Sequence, residues 1–371
     1  MRSIEHKILT SAANLEPDEN DFIKLRRYMS TATDISHLID LAYKEGMAGF
    51  LYKNLLKAGL LETLDPHHRQ RLYESYYLAI RHNLKLIHAL NEILNPLVQR
   101  RIQVILTQGI SLLQEVYRDI GLRPMTDLDL WVLPGDYEDL ADSLATQGFV
   151  SDSLYPYTFK KGEVILDIHT HFLWGDRIKS RDMLINIGQE EIFKAARPIN
   201  VYNPAALCLD PPDHFLYLSL HALKHNLERL VWLVDLKYLV AKWKLTDWTA
   251  LMTRAEQPGQ QPALFYILFI LSKLFDLQLP PEVSGSLDGW APNWFERRVL
   301  TRRINGKPIP DWCQLVLISA GIGLRERLIF IGETLFPKPK ILRQVFPNCH
   351  NSSDRQLYWK RFLQILGSFK T

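Results

Sequence analysis

Residues 108–132 read QGISLLQEVYRDIGLRPMTDLDLWV, and the fold follows from what this stretch can form. Just upstream, Arg101 to Thr107 (RIQVILT) is a short apolar run bounded by charge, which predicts a buried strand ending at Gln108-Gly109. Gly109 then opens a helix in which Ile110, Leu112, Leu113, Val116 and Tyr117 recur at helical spacing as far as Asp119. One face of that helix packs. Its first-turn amides have no intrahelical acceptor, so together with the Ser111 hydroxyl they suit a phosphate. Gly121 closes the helix. From Thr126 to Leu133 (TDLDLWVL) the pattern changes to alternation: Asp127, Asp129 and Trp131 share one face of a strand, and Leu128, Leu130 and Val132 share the other.

Two carboxylates one strand repeat apart repel each other unless a cation sits between them or water reaches them. Mg²⁺, or Mn²⁺ in its place, is the natural guest, because hard divalent ions take oxygen ligands and bridge to substrate phosphates. A third acid stands where such a site needs one. Val164 to Phe172 (VILDIHTHF) also alternates, with Ile165, Asp167, His169 and His171 on one face. Asp167 is a carboxylate inside an otherwise apolar strand, which requires a metal, a basic partner or solvent beside it.

These residues together resemble the polymerase-beta-like nucleotidyltransferase superfamily, and in particular its branch of uncharacterised bacterial nucleotidyltransferases. In that branch a strand ends in Lys-Gly, a helix follows, then R-x-M-x-D-h-D-h-h-V with h apolar, and later an apolar strand carries the third acid. Gly109 matches the glycine, residues 123–132 (RPMTDLDLWV) match the second motif, and residues 165–169 (ILDIH) match the third. Gln108 stands where the lysine is expected. The resemblance covers residues 101–172, and the helical stretch His221 to Asp235 is similar as well. It implies a small mixed sheet with the acids at one rim, and an enzyme that moves a nucleoside monophosphate from an NTP to an acceptor. Asp127, Asp129 and Asp167 would be the catalytic metal ligands. Gly109, Ser111 and Arg123 would meet the phosphates, unless Arg123 locks the Asp127–Asp129 strand by pairing.

Two other readings use the same residues. Asp167-Ile-His169-Thr-His171 resembles the first metal-binding strand of amidohydrolases, where alternating histidines chelate zinc, although that motif opens a (β/α)₈ barrel and the chain after Phe172 offers mostly helices. With Gln108 in place of lysine, the chain also fits a nucleotide-binding scaffold that has lost the chemistry. Against that, all three acids are present.

Outward from this centre the chain is helical. Asp34 to Ala58 carries an apolar stripe with a pause at Gly46 and Gly49, and Pro66 to Leu94 carries another through Leu72, Tyr76, Ala79, Ile80, Leu84, Ile87 and Leu94. After Pro204 the chain reads as helical with no further strand. His214, His221 and His225 fall at i, i+7 and i+11, so one helix stripe carries all three, and His221, Lys224 and His225 are candidates for contact with nucleotide or acceptor. The parts are a helical region 1–98, an α+β core 99–200, a helical domain 201–335 and a basic, aromatic tail 336–371, whose charges read chiefly as a solvated face.

With 371 residues, 47% hydrophobic, the chain can bury a sizeable core, and a net charge of +3 asks for no nucleic acid or acidic membrane. Cys208, Cys313 and Cys349 are scattered without ligand spacing, and the N-terminus lacks a signal-peptide core, which together predict a cytoplasmic protein without disulfides. Lys273 and Asp276 interrupt Pro262 to Leu279, so no membrane span is expected.

Overall fold

The computed structural model describes residues 2–368 apart from 33, 152–153, 173–177, 185–187, 200–202, 257–258, 289–291 and 350–351. The expected 200/201 boundary and the end of the tail lie outside the described residues.

The fold is α+β. Its strands are β1 (Val104–Thr107), β2 (Leu128–Trp131), β3 (Val150–Ser151), β4 (Thr158–Lys161), β5 (Val164–His169), β6 (Arg197–Pro198) and β7 (Ala206–Cys208). They form one mixed sheet in the order β3-β4-β5-β2-β1-β7-β6. β1 runs antiparallel to β2, while β2 is parallel to β5 and β1 is parallel to β7. The central pair is buried throughout, which matches the apolar run Val104 to Leu106. β4 and β5 form a hairpin, and Gly162 takes the left-handed backbone (φ +59°) that its two-residue loop requires. β7 corrects the expectation of no strand after Pro204: three residues added in parallel to a buried edge carry too little periodicity to stand out.

Asp65 caps the helix Pro66–Arg100 by accepting from the His68 amide, and Pro66 fits the first turn, where its missing N–H costs nothing. The buried stripe runs through Leu72, Tyr76, Asn83, Leu86, Leu90 and Leu97, so Leu84, expected in it, is 54% exposed. The core slot one residue earlier belongs to Asn83. Its Nδ2 donates to the carbonyls of Ile120 (2.7 Å) and Arg123 (2.8 Å), and its Oδ1 accepts from the Met125 amide. This long helix therefore holds the turn that leads into the Asp127–Asp129 segment.

The helix expected to reach Asp119 spans only Gln108–Glu115. Residues 119–125 instead thread between two helices. A Cβ on Gly121 would lie 2.4 Å from the Tyr76 ring, and one on Gly49 would lie 2.3 Å from the Gly121 carbonyl oxygen. Both glycines are there for close approach, and neither has a positive φ.

Behind the sheet, Pro211–Lys224 is buried nearly all round and packs against Leu230–Leu239, Leu245–Glu256, Gln261–Phe275 and Cys313–Ile318. Apolar packing is continuous from Ile8 to Phe330. Among the described residues no helix is long and apolar enough to cross a membrane.

Candidate active site

The parallel register of β2 and β5 sets Asp129 beside Asp167 and Trp131 beside His169. Asp127 enters just before β2. All three acids line a cavity of about 330 Å³ whose other walls are the Gln108-Gly109 turn, residues 123–126, His221, Lys224, His225, Arg229 and Trp232. Asp127 and Asp167 are half-buried and Asp129 is buried. Thr126 Oγ1 donates to Asp127 (2.9 Å), and Thr158 Oγ1, from the paired position on β4, donates to Asp167 (2.5 Å). His169 Nε2 lies 2.9 Å from Asp129 Oδ1. Burial, followed by repulsion from Asp129 and more weakly from Asp167, pushes the Asp127 carboxyl up to about 6.

Burial first, and the neighbouring carboxylates second, disfavour the Asp127 anion, and a divalent cation among the three acids would offset both. The donor set, three carboxylates open to a cavity, fits Mg²⁺ or Mn²⁺. Among the described residues no three His, Cys, Asp or Glu side chains already stand in ion-holding geometry. Each acid has one oxygen engaged by a neighbour, Asp127 by Thr126, Asp129 by His169 and Asp167 by Thr158.

The facing wall is basic and aromatic. The His221 ring is 4.7 Å from His225 and 5.1 Å from Trp232, centroid to centroid, and the Arg229 guanidinium lies 5.9 Å from the Trp232 ring. Burial, then the neighbouring His225 and Lys224, hold His221 well below the usual imidazole range. Burial and Lys224 bring His225 down to about 4.

The structure brings Gly109, Arg123, His221, Lys224 and His225 to the cavity with the three acids. Gly109 has a clear steric reason: a Cβ there would sit 2.8 Å from Met125 Cγ. Arg123 does not pair with the Asp127–Asp129 strand. Its Nε donates to both oxygens of Asp235 (3.0 and 2.9 Å), which also accepts from the Tyr117 hydroxyl (2.5 Å), all in buried surroundings. Ser111 corrects the expectation of a phosphate-facing hydroxyl. It is buried, donates to the Gln108 carbonyl and lies 3.1 Å from His214 Nε2, because its side chain points along the packed face of the helix. The histidine stripe divides accordingly: His214 pairs with Glu115 (2.9 Å), away from the cavity.

His169 and His171 also part company, the second turning to Asp182 (2.7 Å). With an open seven-stranded mixed sheet in place of a barrel, the amidohydrolase reading is overturned. Sequence reasoning missed Arg229, Trp232 and Asp235 as parts of the site, and Asn83 as the latch behind it. The only signal for the first three was the helical stretch His221 to Asp235.

A family model described as uncharacterised nucleotidyltransferase matches residues 31–276, well over half of the chain and inclusive of every cavity residue named above. No curated protein matches the chain.

Proposed function

We propose, from the premise that the chain belongs to the uncharacterised nucleotidyltransferase family, that it transfers a nucleoside monophosphate from an NTP to an acceptor hydroxyl with Mg²⁺ or Mn²⁺. The observation that carries this reading is the in-register pairing of Asp129 with Asp167, with Asp127 two residues upstream, across a cavity from Lys224 and Arg229. Asp127, Asp129 and Asp167 would hold the divalent cation, which when bound offsets triphosphate charge and draws electron density from the α-phosphorus.

The chain's own groups account for the rest. Lys224 and Arg229 bring positive charge to the phosphates, and the helix start at Gln108-Gly109, on the strand side of the same cavity, offers amide donors. Trp232 with His221 and His225 gives an aromatic cluster, the imidazoles inclined at 83° and 48° to the indole, against which a base or an acceptor can pack. Arg123, fixed by Asp235, positions the turn leading to Asp127. Asp167 takes the proton as the acceptor oxygen bonds to the α-phosphorus; the bond from that phosphorus to the bridging oxygen breaks, and pyrophosphate leaves with the pair.

Incubation of the protein with each α-labelled NTP, Mg²⁺ and a cell extract tests this directly. Wild-type protein should bind nucleotide only with the divalent ion and transfer label, and Asp129→Asn should lower transfer by roughly a thousandfold or more while the fold persists. A wild type that binds no nucleotide with either ion, or an Asp129→Asn protein with wild-type turnover, sinks the reading.

A further inference from the structure

Lys224 and His225, at the C-terminal end of Pro211–Lys224, are walls of two chambers. One is the carboxylate cavity; the other, also about 330 Å³, shares only these two residues with it. Segments far apart in sequence enclose this second chamber: the turn after Lys224, residues 311–315, the end of Leu324–Leu335, and the helix Asp354–Ser368. Its volume is in the range of small-molecule sites.

The lining has a consistent chemistry. Asn226, Gln314, Gln364, Asp311, Thr334 and Trp312 line it, with the apolar Leu315, Leu335 and Ile365 beside them. Asn226 Oδ1 and Thr334 Oγ1, on two of the lining residues, have no hydrogen-bond partner among the described residues, and a side-chain rotation would be needed to turn them into the chamber. Charge is balanced, with Asp311 and Glu228 against Lys224 and Arg361, and Arg361 is engaged by the Leu335 carbonyl (2.9 Å) and by Gln364 (2.7 Å). A second phosphate is therefore not what this chamber suits. Neutral amides, a carboxylate and an aromatic face instead match an array of hydroxyls, each of which donates one hydrogen bond and accepts others.

We propose that the second chamber binds the acceptor, a polyhydroxylated small molecule of the sugar or cyclitol kind, and delivers one of its hydroxyls past Lys224 and His225 to the nucleotide. This rests on the nucleotidyl-transfer reading. The new bond joins the acceptor oxygen to the α-phosphorus, the proton leaves to Asp167, and pyrophosphate departs. The C-terminal helix, whose charges read from sequence as a solvated face, thereby supplies a wall of the acceptor site through Arg361 and Gln364.

The probe is whole cell extract and its protein-free fraction, untreated or oxidised with periodate and then quenched, incubated with α-labelled NTP, Mg²⁺ and the full-length protein. Periodate cleaves vicinal diols, so it should remove the labelled small molecule. Gln364→Trp, which fills the chamber from an exposed helix position, should lower transfer roughly tenfold or more while calorimetric affinity for Mg²⁺-nucleotide stays within about twofold. Gln314→Leu should do the same more mildly without lowering the melting temperature. Label that survives periodate, label carried by protein or nucleic acid, or variants that transfer at the wild-type rate overturn the proposal while leaving nucleotidyl transfer standing. A wild type that binds no nucleotide overturns the transfer reading first and this one with it.

Discussion

Across the carboxylate cavity the two walls are held by different forces. Asp129 and Asp167 sit on neighbouring strands whose ladder hydrogen bonds fix their separation, and the residues flanking them, Leu128, Leu130, Leu166 and Ile168, are fully or almost fully buried. Lys224, His225 and Arg229 instead occupy the turn between Pro211–Lys224 and Leu230–Leu239, where Asn226 and Leu227 both take left-handed backbone (φ +52° and +55°). That turn is fixed by charge from elsewhere. The Glu45 carboxylate accepts from the Leu230 amide (2.6 Å) and from Arg303 (2.6 and 3.1 Å), and Asp235, one turn further along, holds Arg123. One wall is a local product of strand pairing; the other depends on buried ion pairs that join three parts of the chain. Substitutions should therefore act on chemistry at the first wall and on assembly at the second.

The sharpest way to break this contrast is Asp235→Ala. It leaves the buried Arg123 guanidinium without its carboxylate and the Tyr117 hydroxyl without its acceptor, which should cost about 3–5 kcal/mol of stability. Urea unfolding measures it. Nucleotide binding should weaken as well, because Arg123 and the helix carrying Trp232 lose their tie. A loss below about 1 kcal/mol would mean that apolar packing alone holds the helical wall, and the contrast would fail.

The same contrast explains what the sequence made legible. Strand alternation is a short-range pattern, so TDLDLWVL and VILDIHTHF revealed the three acids and the shared face of Asp127 and Asp129, and the family resemblance supplied the mixed sheet around them. The partners of the other wall are long-range. Nothing near Arg123 announces Asp235, 112 positions on, and nothing near Asn83 announces the carbonyls of Ile120 and Arg123. Ser111 misled for a related reason. A hydroxyl at a helix start looks exposed in sequence, whereas the side chain sits on the face that meets His214. Leu84 and Asn83 exchanged expected roles because apolar periodicity cannot foresee that a core slot is taken by an amide serving the adjoining turn.

A smaller effect comes from pH. The folded protein holds His225 at about 4, below its ordinary value of 6.5, because burial and Lys224 disfavour the imidazolium. Above about pH 6.5 both folded and unfolded chains leave it neutral, and its contribution to stability is fully present. Between 6.5 and 4 the unfolded chain binds a proton that the folded chain refuses, so stability falls as pH falls through that window. Allowing for partial exposure, the loss is about 1–2 kcal/mol. His225→Gln should lose that much less between pH 7 and 4.5 in denaturant titrations. Parallel pH profiles for the two proteins would show that the helical wall does not exclude charge at this position.

The smallest expected effect lies where the walls meet, at Gln108. It lines the cavity in left-handed backbone (φ +54°), a conformation that is costly for any residue with a Cβ and equally so for glutamine and lysine. Gln108→Lys therefore leaves the backbone cost unchanged and alters only the charge presented at the start of Gln108–Glu115. An ammonium there adds a charge-assisted contact to a bound triphosphate in place of a neutral amide dipole, a gain of roughly 1 kcal/mol or three- to tenfold in affinity, fading as salt rises. Titration calorimetry with Mg²⁺-nucleotide at low and moderate salt reads both the gain and its screening. Tighter binding at low salt that weakens at moderate salt would put the triphosphate against the helix start, on the strand side of the cavity. Unchanged affinity at both would put the phosphates against Lys224 and Arg229 alone, and the helical wall would then carry the nucleotide while the strand wall carried only the cation.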